Sequence, residues 1–307
     1  MNGLIPSLGD ELRNEDTIVV ATLVAATGTS SKKVGARMYV GQSGKLIGGV
    51  TIGGCVDAQV IEAADALIER GGRKLLSISL DDDEAWEIGL TCGGTVDVLI
   101  ERARLSDPSD PVVSAHRQAA TQLDAGEIAE LTTTLDDGRT FVDRISPPTT
   151  LLIIGAGEIA TSLTRMAREL EMRAIVIDGR DRYATRERFP DADEIRVGMP
   201  SEIVAEYRVT PRFAAILVAH DYKYELPVLR ALIRSRVGYI GMLGSKKRSA
   251  AVRDLLKDEG FTDDELARVR TPIGLDIGGK APAEVALSIL AEVVAVRSGK
   301  VANAQRV

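Results

Sequence analysis

Leu151–Ile154 is a short apolar run that ends in Gly155-Ala156-Gly157-Glu158-Ile159-Ala160. A helical apolar pattern follows, and the next apolar run closes on Asp178 about twenty residues later. This is the G-x-G-x-x-A form of a dinucleotide fingerprint. The first glycine permits a tight turn, the second lets backbone approach a pyrophosphate, and the small Ala160 lets helix and strand pack closely. The helix start adds unpaired N–H groups that favour an anion. Gly155, Gly157 and Asp178 are therefore candidate nucleotide contacts. Asp178 is suited to a ribose hydroxyl, and Arg180 and Arg182 after it favour a 2′-phosphate instead.

Apolar strands and helical patterns continue to alternate after this turn. Ala174–Ile177, Ala214–Ala219 and Gly238–Gly241 read as strands. Ile159–Leu170, Leu226–Arg236, Ser249–Glu259 and Pro282–Val296 read as helices. Such alternation predicts a Rossmann-like, doubly wound parallel sheet in an α/β domain. His220-Asp221 follows the Ala214–Ala219 strand, and ligands sit at the carboxyl ends of such strands. His220 is placed to act as a general base, a phosphate contact or a ligand, or only as a loop histidine bonded to its neighbours. His116, in a helical pattern outside any motif, is expected at the surface. Two more glycine-rich loops precede helices, Gly241–Lys247 and Ile273–Lys280. In the first, Ser245 is a helix cap and Lys246 and Lys247 suit an anion.

Ser146-Pro147-Pro148-Thr149-Thr150 continues neither a helix nor a sheet ladder and marks a domain boundary at about residue 148. Residues 1–147 form the first domain and 148–307 the second. The first is less regular. Thr17–Ala26, Arg37–Val40, Lys45–Gly49, Lys74–Leu80, Val96–Arg102, Glu127–Thr134 and Thr140–Ile145 read as strands, with helices over Val56–Arg70 and Val112–Leu123. This is a mixed α+β domain whose strand order does not follow from the sequence.

The chain's two cysteines lie in this domain, each beside paired glycines: Gly53-Gly54-Cys55-Val56-Asp57 and Cys92-Gly93-Gly94. Cys55 precedes a predicted helix, whose dipole favours the thiolate, the nucleophilic and metal-binding form. Thiolates are soft ligands, suited to a transition metal or to sulfur transfer. No C-x-x-C is present and the two histidines have unrelated contexts, so a zinc site fits poorly. A disulfide requires the two loops to meet, which spacing does not establish.

Composition narrows the class. The 307 residues carry a net charge of −7 and are 4% aromatic, which disfavours duplex binding and base-stacking platforms, so no nucleic-acid partner is expected. No apolar run approaches the length of a membrane span, so no membrane association is expected. The N-terminal stretch lacks a secretory pattern, and two cysteines suit a reducing cytoplasm. A symmetric homodimer is the commonest oligomer for such proteins, and the sequence leaves the state open.

Together the motifs resemble the XdhC/CoxI family. The resemblance rests on Gly35-Ala36-Arg37-Met38, Thr51–Asp57 and Gly89–Thr95 in the first domain. In the second it rests on Gly155–Ala160, Arg186–Pro190, Tyr239–Ser245 and Ile273–Gly278. Asp57 stands where the family pattern has glutamate. The resemblance implies an accessory chaperone, not an enzyme. Such a protein binds molybdenum cofactor (molybdopterin), protects it while a cysteine desulfurase supplies its sulfido ligand, and delivers it to a xanthine dehydrogenase-like molybdenum hydroxylase. It implies that Gly53, Gly54, Cys55, Asp57, Cys92, Gly93 and Gly94 contact the cofactor, with Cys55 reaching the molybdenum. The fingerprint supports a different reading, an NAD(P)-dependent oxidoreductase with His220 as acid or base.

Overall fold

The computed structural model describes residues 4–27, 33–51, 56–79, 94–219 and 221–300. Two compact units result, Met1–Pro147 and Pro148–Val307.

The first unit opens with a 3-10 helix, Ile5–Leu8. Strands β1 (Thr17–Ala26), β2 (Arg37–Gly41) and β3 (Leu46–Gly48) follow, then helix α1 (Asp57–Arg70) and strands β4 (Arg73–Ser79) and β5 (Thr95–Arg104). Helix α2 (Pro111–Asp124) leads to the hairpin β6 (Ala129–Thr134) and β7 (Thr140–Ile145). The five-stranded sheet has the order β3-β2-β1-β5-β4, antiparallel throughout. The first eight residues of β1 are buried, as expected of a central strand covered on both faces. One face carries Val19, Ala21, Leu23, Val96, Val98 and Ile100, which pack with Val60 and Ala64 of α1. The other carries Ile18, Val20 and Tyr39 and is covered by the 3-10 helix and α2. Asp110 caps α2, accepting from the N–H of Val112 at 2.9 Å and of Val113 at 3.2 Å.

The second unit contains β8 (Thr150–Ile154), α3 (Glu158–Glu169), β9 (Arg173–Asp178), β10 (Glu194–Val197), α4 (Pro200–Ala205) and β11 (Phe213–Leu217). Then come α5 (Tyr222–Leu232), β12 (Tyr239–Met242), α6 (Lys246–Asp258), α7 (Asp263–Ala267), β13 (Val269–Arg270) and α8 (Pro282–Arg297). The strands form one parallel sheet in the order β10-β9-β8-β11-β12-β13. Counted from β8, this is the Rossmann order 3-2-1-4-5-6. The expected α/β class with a mixed N-terminal unit is therefore what forms. Alternate residues of β8 feed two cores: Leu151 and Ile153 pack with α3 and α8, and Leu152 and Ile154 pack toward α4 and α5. Each fully buried Leu or Ile contributes about 1.5–3 kcal/mol, so this strand anchors the unit.

Local reading fails at identifiable places. Helix α5 starts at Tyr222 rather than Leu226, because Asp221 caps it by accepting from the Lys223 N–H at 2.9 Å. Pro227 thus lies inside the helix rather than at its start. Helix α6 likewise starts at Lys246, capped by Ser245, which accepts from the Arg248 N–H at 3.3 Å. His116 is a correction: it is 5% exposed, not at the surface. It shares the inward stripe of α2 with Val113, Ala119 and Leu123, and its Nδ1 accepts the Ile5 N–H at 3.2 Å.

Candidate functional site

The strand order reverses between β8 and β11, and the glycine turn and the β11–α5 connection meet there. Gly155 has φ +112°, and a Cβ on it would lie 2.7 Å from both N and Cα of Ala219. Glycine is obligatory on both counts. Gly157, at the head of α3, differs. Its φ of −89° suits any residue, and an added Cβ would meet nothing within 4 Å.

The expected acid sits at this turn. Asp178 is buried, and its Oδ2 accepts the Ala156 N–H at 2.7 Å. Arg180 grips the same carboxylate with a two-pronged contact, Nε to Oδ1 at 2.9 Å and Nη2 to Oδ2 at 2.8 Å. The Arg180 N–H adds a further bond to Oδ1 at 2.9 Å. Burial alone would raise the Asp178 pKa; the Arg180 fork and the Ala156 N–H outweigh it and hold the carboxyl below its ordinary value. The Arg180 guanidinium lies 4.0 Å from the centre of the Tyr183 ring. Asp178 thus ties the glycine turn to the β9 turn, so a ribose reaching it has Arg180 as a competitor. Asp221, expected at the crevice, is there as the exposed cap of α5. His220 lies outside the described residues.

Two buried carboxylates that sequence reasoning did not single out fix the neighbouring loops. Glu225 is completely buried and ion-paired with Arg248, whose guanidinium lies 4.4 Å from the Tyr222 ring centre. Glu292 accepts from the Tyr239 hydroxyl at 2.6 Å and the Gly274 N–H at 2.9 Å, with Arg270 at 3.4 Å. It thereby pins the loop from Ile273 to Gly279. A signal for Glu292 exists in the sequence: it is the one charge within Val285–Val296, an otherwise nearly apolar helical run. Glu225 has no such signal.

In the first unit, Asp57 opens α1, directly after Val56, which is completely buried. The Asp57 Oδ1 atom is buried with no hydrogen-bond partner among the described residues. Val56 and Val96 belong to the same buried cluster. Gly94, at φ +122°, immediately precedes β5. Gly53, Gly54, Cys55, Cys92 and Gly93 lie outside the described residues. Among the described residues no group of three or more His, Cys, Asp or Glu is arranged to hold a metal, and no helix is long and apolar enough to cross a membrane.

Comparison with known proteins places these features in a lineage. Residues 151–293 match the XdhC Rossmann domain, and residues 12–79 match the XdhC and CoxI family. The chain is 27% identical to a Bacillus subtilis protein named as a probable subunit of xanthine dehydrogenase, over 93% of this chain and 95% of that one. It is also 27% identical to the Escherichia coli molybdenum cofactor insertion chaperone PaoD, over 91% of this chain and 83% of that one. A crystal structure of a Bacillus halodurans protein described as a xanthine dehydrogenase shares the fold. Its TM-score is 0.82 at 24% identity, over 98% of this chain and 97% of that one. With both units matched, the chain belongs to the XdhC/CoxI family.

Proposed function

We propose that this protein is a maturation chaperone that carries molybdenum cofactor as cargo for a molybdenum hydroxylase of the xanthine dehydrogenase type. Residues 1–147 are the cofactor-handling domain and 148–307 the Rossmann-like domain. The observation that carries the reading is the head of α1. There Asp57, whose buried Oδ1 has no partner among the described residues, follows Gly53-Gly54-Cys55-Val56. An orphaned acceptor in the folded chain is costly unless a ligand completes it. The amino and ring N–H donors of a pterin have that chemistry. The full-length similarity to a protein named as a cofactor insertion chaperone supports the same assignment.

In this reading Cys55 is the soft ligand toward the metal, and Cys92 is the second thiolate. Gly53, Gly54, Gly93 and Gly94 let backbone approach the pterin and its phosphate. The chain protects the cargo while a cysteine desulfurase supplies sulfur, then passes it to the apo-hydroxylase. Its place of work is the cytoplasm. Asp57 reaches less far than the family's glutamate, so its acceptor lies closer to the backbone of α1.

The test is pterin content after purification from a cofactor-producing host under anaerobic, reducing conditions. Wild-type protein is expected to retain pterin, and Cys55→Ala and Asp57→Asn to lose most of it. No pterin in the wild type, even after cofactor is added, overturns the reading.

A nucleotide at the second unit has its own support. Nothing in the packing of the described residues requires glycine at position 157, whereas an approaching phosphate does. NAD(P) binding measured on Gly157→Val against wild type tests that role. Hydride turnover dependent on His220 would shift the assignment to an oxidoreductase.

A further inference from the structure

On the face of the first sheet opposite α1, a cleft of about 250 Å³ lies beneath α2 and the β6–β7 hairpin. Strand register builds its floor. Arg37 is opposite Thr22, and Thr22 opposite Leu99. Two residues along, on the same face, Glu101 is opposite Arg73. Opposite charges so placed ordinarily pair, but here they do not. Arg73 turns to Asp136 at 2.8 Å and to the Thr134 carbonyl at 2.9 Å. Arg37, with its side chain 6% exposed, turns to Asp143 at 2.6 Å. Both arginines near Glu101 are thus held by carboxylates of the hairpin segment. Glu101 is left with no hydrogen bond or ion pair among the described residues, and burial raises its pKa.

Two residues that carry unpaired donors, His116 and Arg37, line the same cleft as Glu101. Because the His116 Nδ1 accepts the Ile5 N–H, the neutral ring carries its proton on Nε2. That N–H has no partner among the described residues. The Arg37 Nε is buried and likewise unpartnered. Leu99, Val112, Leu131 and Phe141 give the walls apolar surface, beside the polar side chains of Thr22 and Thr132 to Thr134. The cleft therefore combines an unpaired carboxylate, unpaired N–H donors and some apolar surface, in a volume of about 250 Å³ that holds a single heterocycle rather than a larger ligand.

We infer that this cleft binds a planar heterocycle with a 2-amino-4-oxopyrimidine edge, the edge shared by guanine and pterins. Such an edge offers two adjacent N–H donors to the Glu101 carboxylate, in a two-pronged, charge-assisted pairing. Its neighbouring carbonyl accepts from His116 Nε2 or Arg37 Nε. The site lies on the other side of the sheet from α1. It is independent of the cofactor assignment above, and cofactor-free protein serves to test it.

Isothermal titration of the full chain with guanosine and with 6-hydroxymethylpterin tests the inference. The counterparts are inosine, which lacks the amino group, and 6-hydroxymethyllumazine, in which oxygen replaces it. The amino compounds are expected to bind at least about tenfold more tightly than their counterparts, since a half-buried carboxylate left unpaired by the ligand penalises the wrong one. Binding by guanosine alone supports the site and identifies the source; binding by the pterin alone supports it where Glu101→Gln loses that binding and Asp57→Asn keeps it, and overturns it where the reverse holds. Glu101→Gln is expected to lose the discrimination, and Glu130→Gln, exposed on the hairpin, to keep it. If neither amino compound binds, or if an amino compound that binds is equalled by its counterpart on wild-type protein, the inference fails without reference to any variant's folding.

Discussion

The two units treat their buried charges differently. In the second, Asp178, Glu225 and Glu292 are each locked to an arginine, and Asp178 and Glu292 also to backbone N–H groups. Of the buried side-chain nitrogen and oxygen atoms of that unit's described residues, only the Arg248 Nε remains unpartnered. These contacts fix the turns around the crevice. In the first unit the Asp57 Oδ1 and Arg37 Nε are buried and unpartnered, and Glu101 has no ion pair among the described residues. Satisfied groups build a scaffold, whereas unsatisfied ones retain capacity for a ligand. The contrast supports the cofactor-handling role proposed for the antiparallel unit.

The sharpest challenge is at the glycine turn. Gly155→Val introduces strain at positive φ and a backbone clash with Ala219, and is expected to cost about 3 kcal/mol or more in urea unfolding. Gly157→Ala is expected to stay within about 1 kcal/mol of wild type, the change being a helix cap alone. Equal losses would mean that both glycines serve packing.

Glu292→Leu comes next. It strands the Tyr239 hydroxyl and the Gly274 N–H and leaves Arg270 without its carboxylate, for an expected loss of about 3 kcal/mol. Proteolysis of the loop from Ile273 to Gly279 should rise in parallel. An unchanged loop would show that the carboxylate is dispensable there.

A smaller effect follows from His116. Burial, with the Arg37 charge adding to it, lowers its pKa from the ordinary 6.5 to about 3. The unfolded chain therefore binds a proton that the folded chain refuses. Stability is lost as pH falls from about 6.5 toward about 3, at up to about 1.4 kcal/mol per pH unit. In His116→Leu this part of the pH slope should vanish from thermal melts, although the Ile5 N–H is then unpaired at every pH.

The smallest effect belongs to Glu101. Its folded pKa is raised, so the ionised form opposes folding above that pKa and the penalty disappears as pH falls. Glu101→Gln is accordingly expected to melt slightly higher than wild type at neutral pH. A lower melting temperature would mean that the carboxylate already has a stabilising partner, which would contradict the contrast between the units.

Much of the fold was legible locally. β1 and β7 occupy the residues that alternation and apolar runs indicate, and the fingerprint does join β8 to α3. Elements that escaped were short: β10 has 4 residues, α4 has 6, α7 has 5 and β13 has 2, too few to establish a period. His116 was misread because a histidine in a mixed helix resembles a solvated face until its partner Ile5 is known. Among the candidate residues, Asp57, Asp178 and Asp221 could be found by motif or position, but not what their oxygens touch.

The sequence alone determined the parallel α/β class of the second unit, the need for glycine at 155, and the family, because each depends on neighbours along the chain. Tertiary structure decided the order of the strands and the capture of Asp178 by Ala156 and Arg180. It also decided the pinning of a distant loop by Glu292 and the isolation of Glu101 between two occupied arginines. These outcomes depend on partners brought together by folding, such as Tyr239 and Glu292, which are 53 residues apart. Whether a buried charge is satisfied is set by the three-dimensional arrangement of donors and acceptors, which residue type and spacing do not specify.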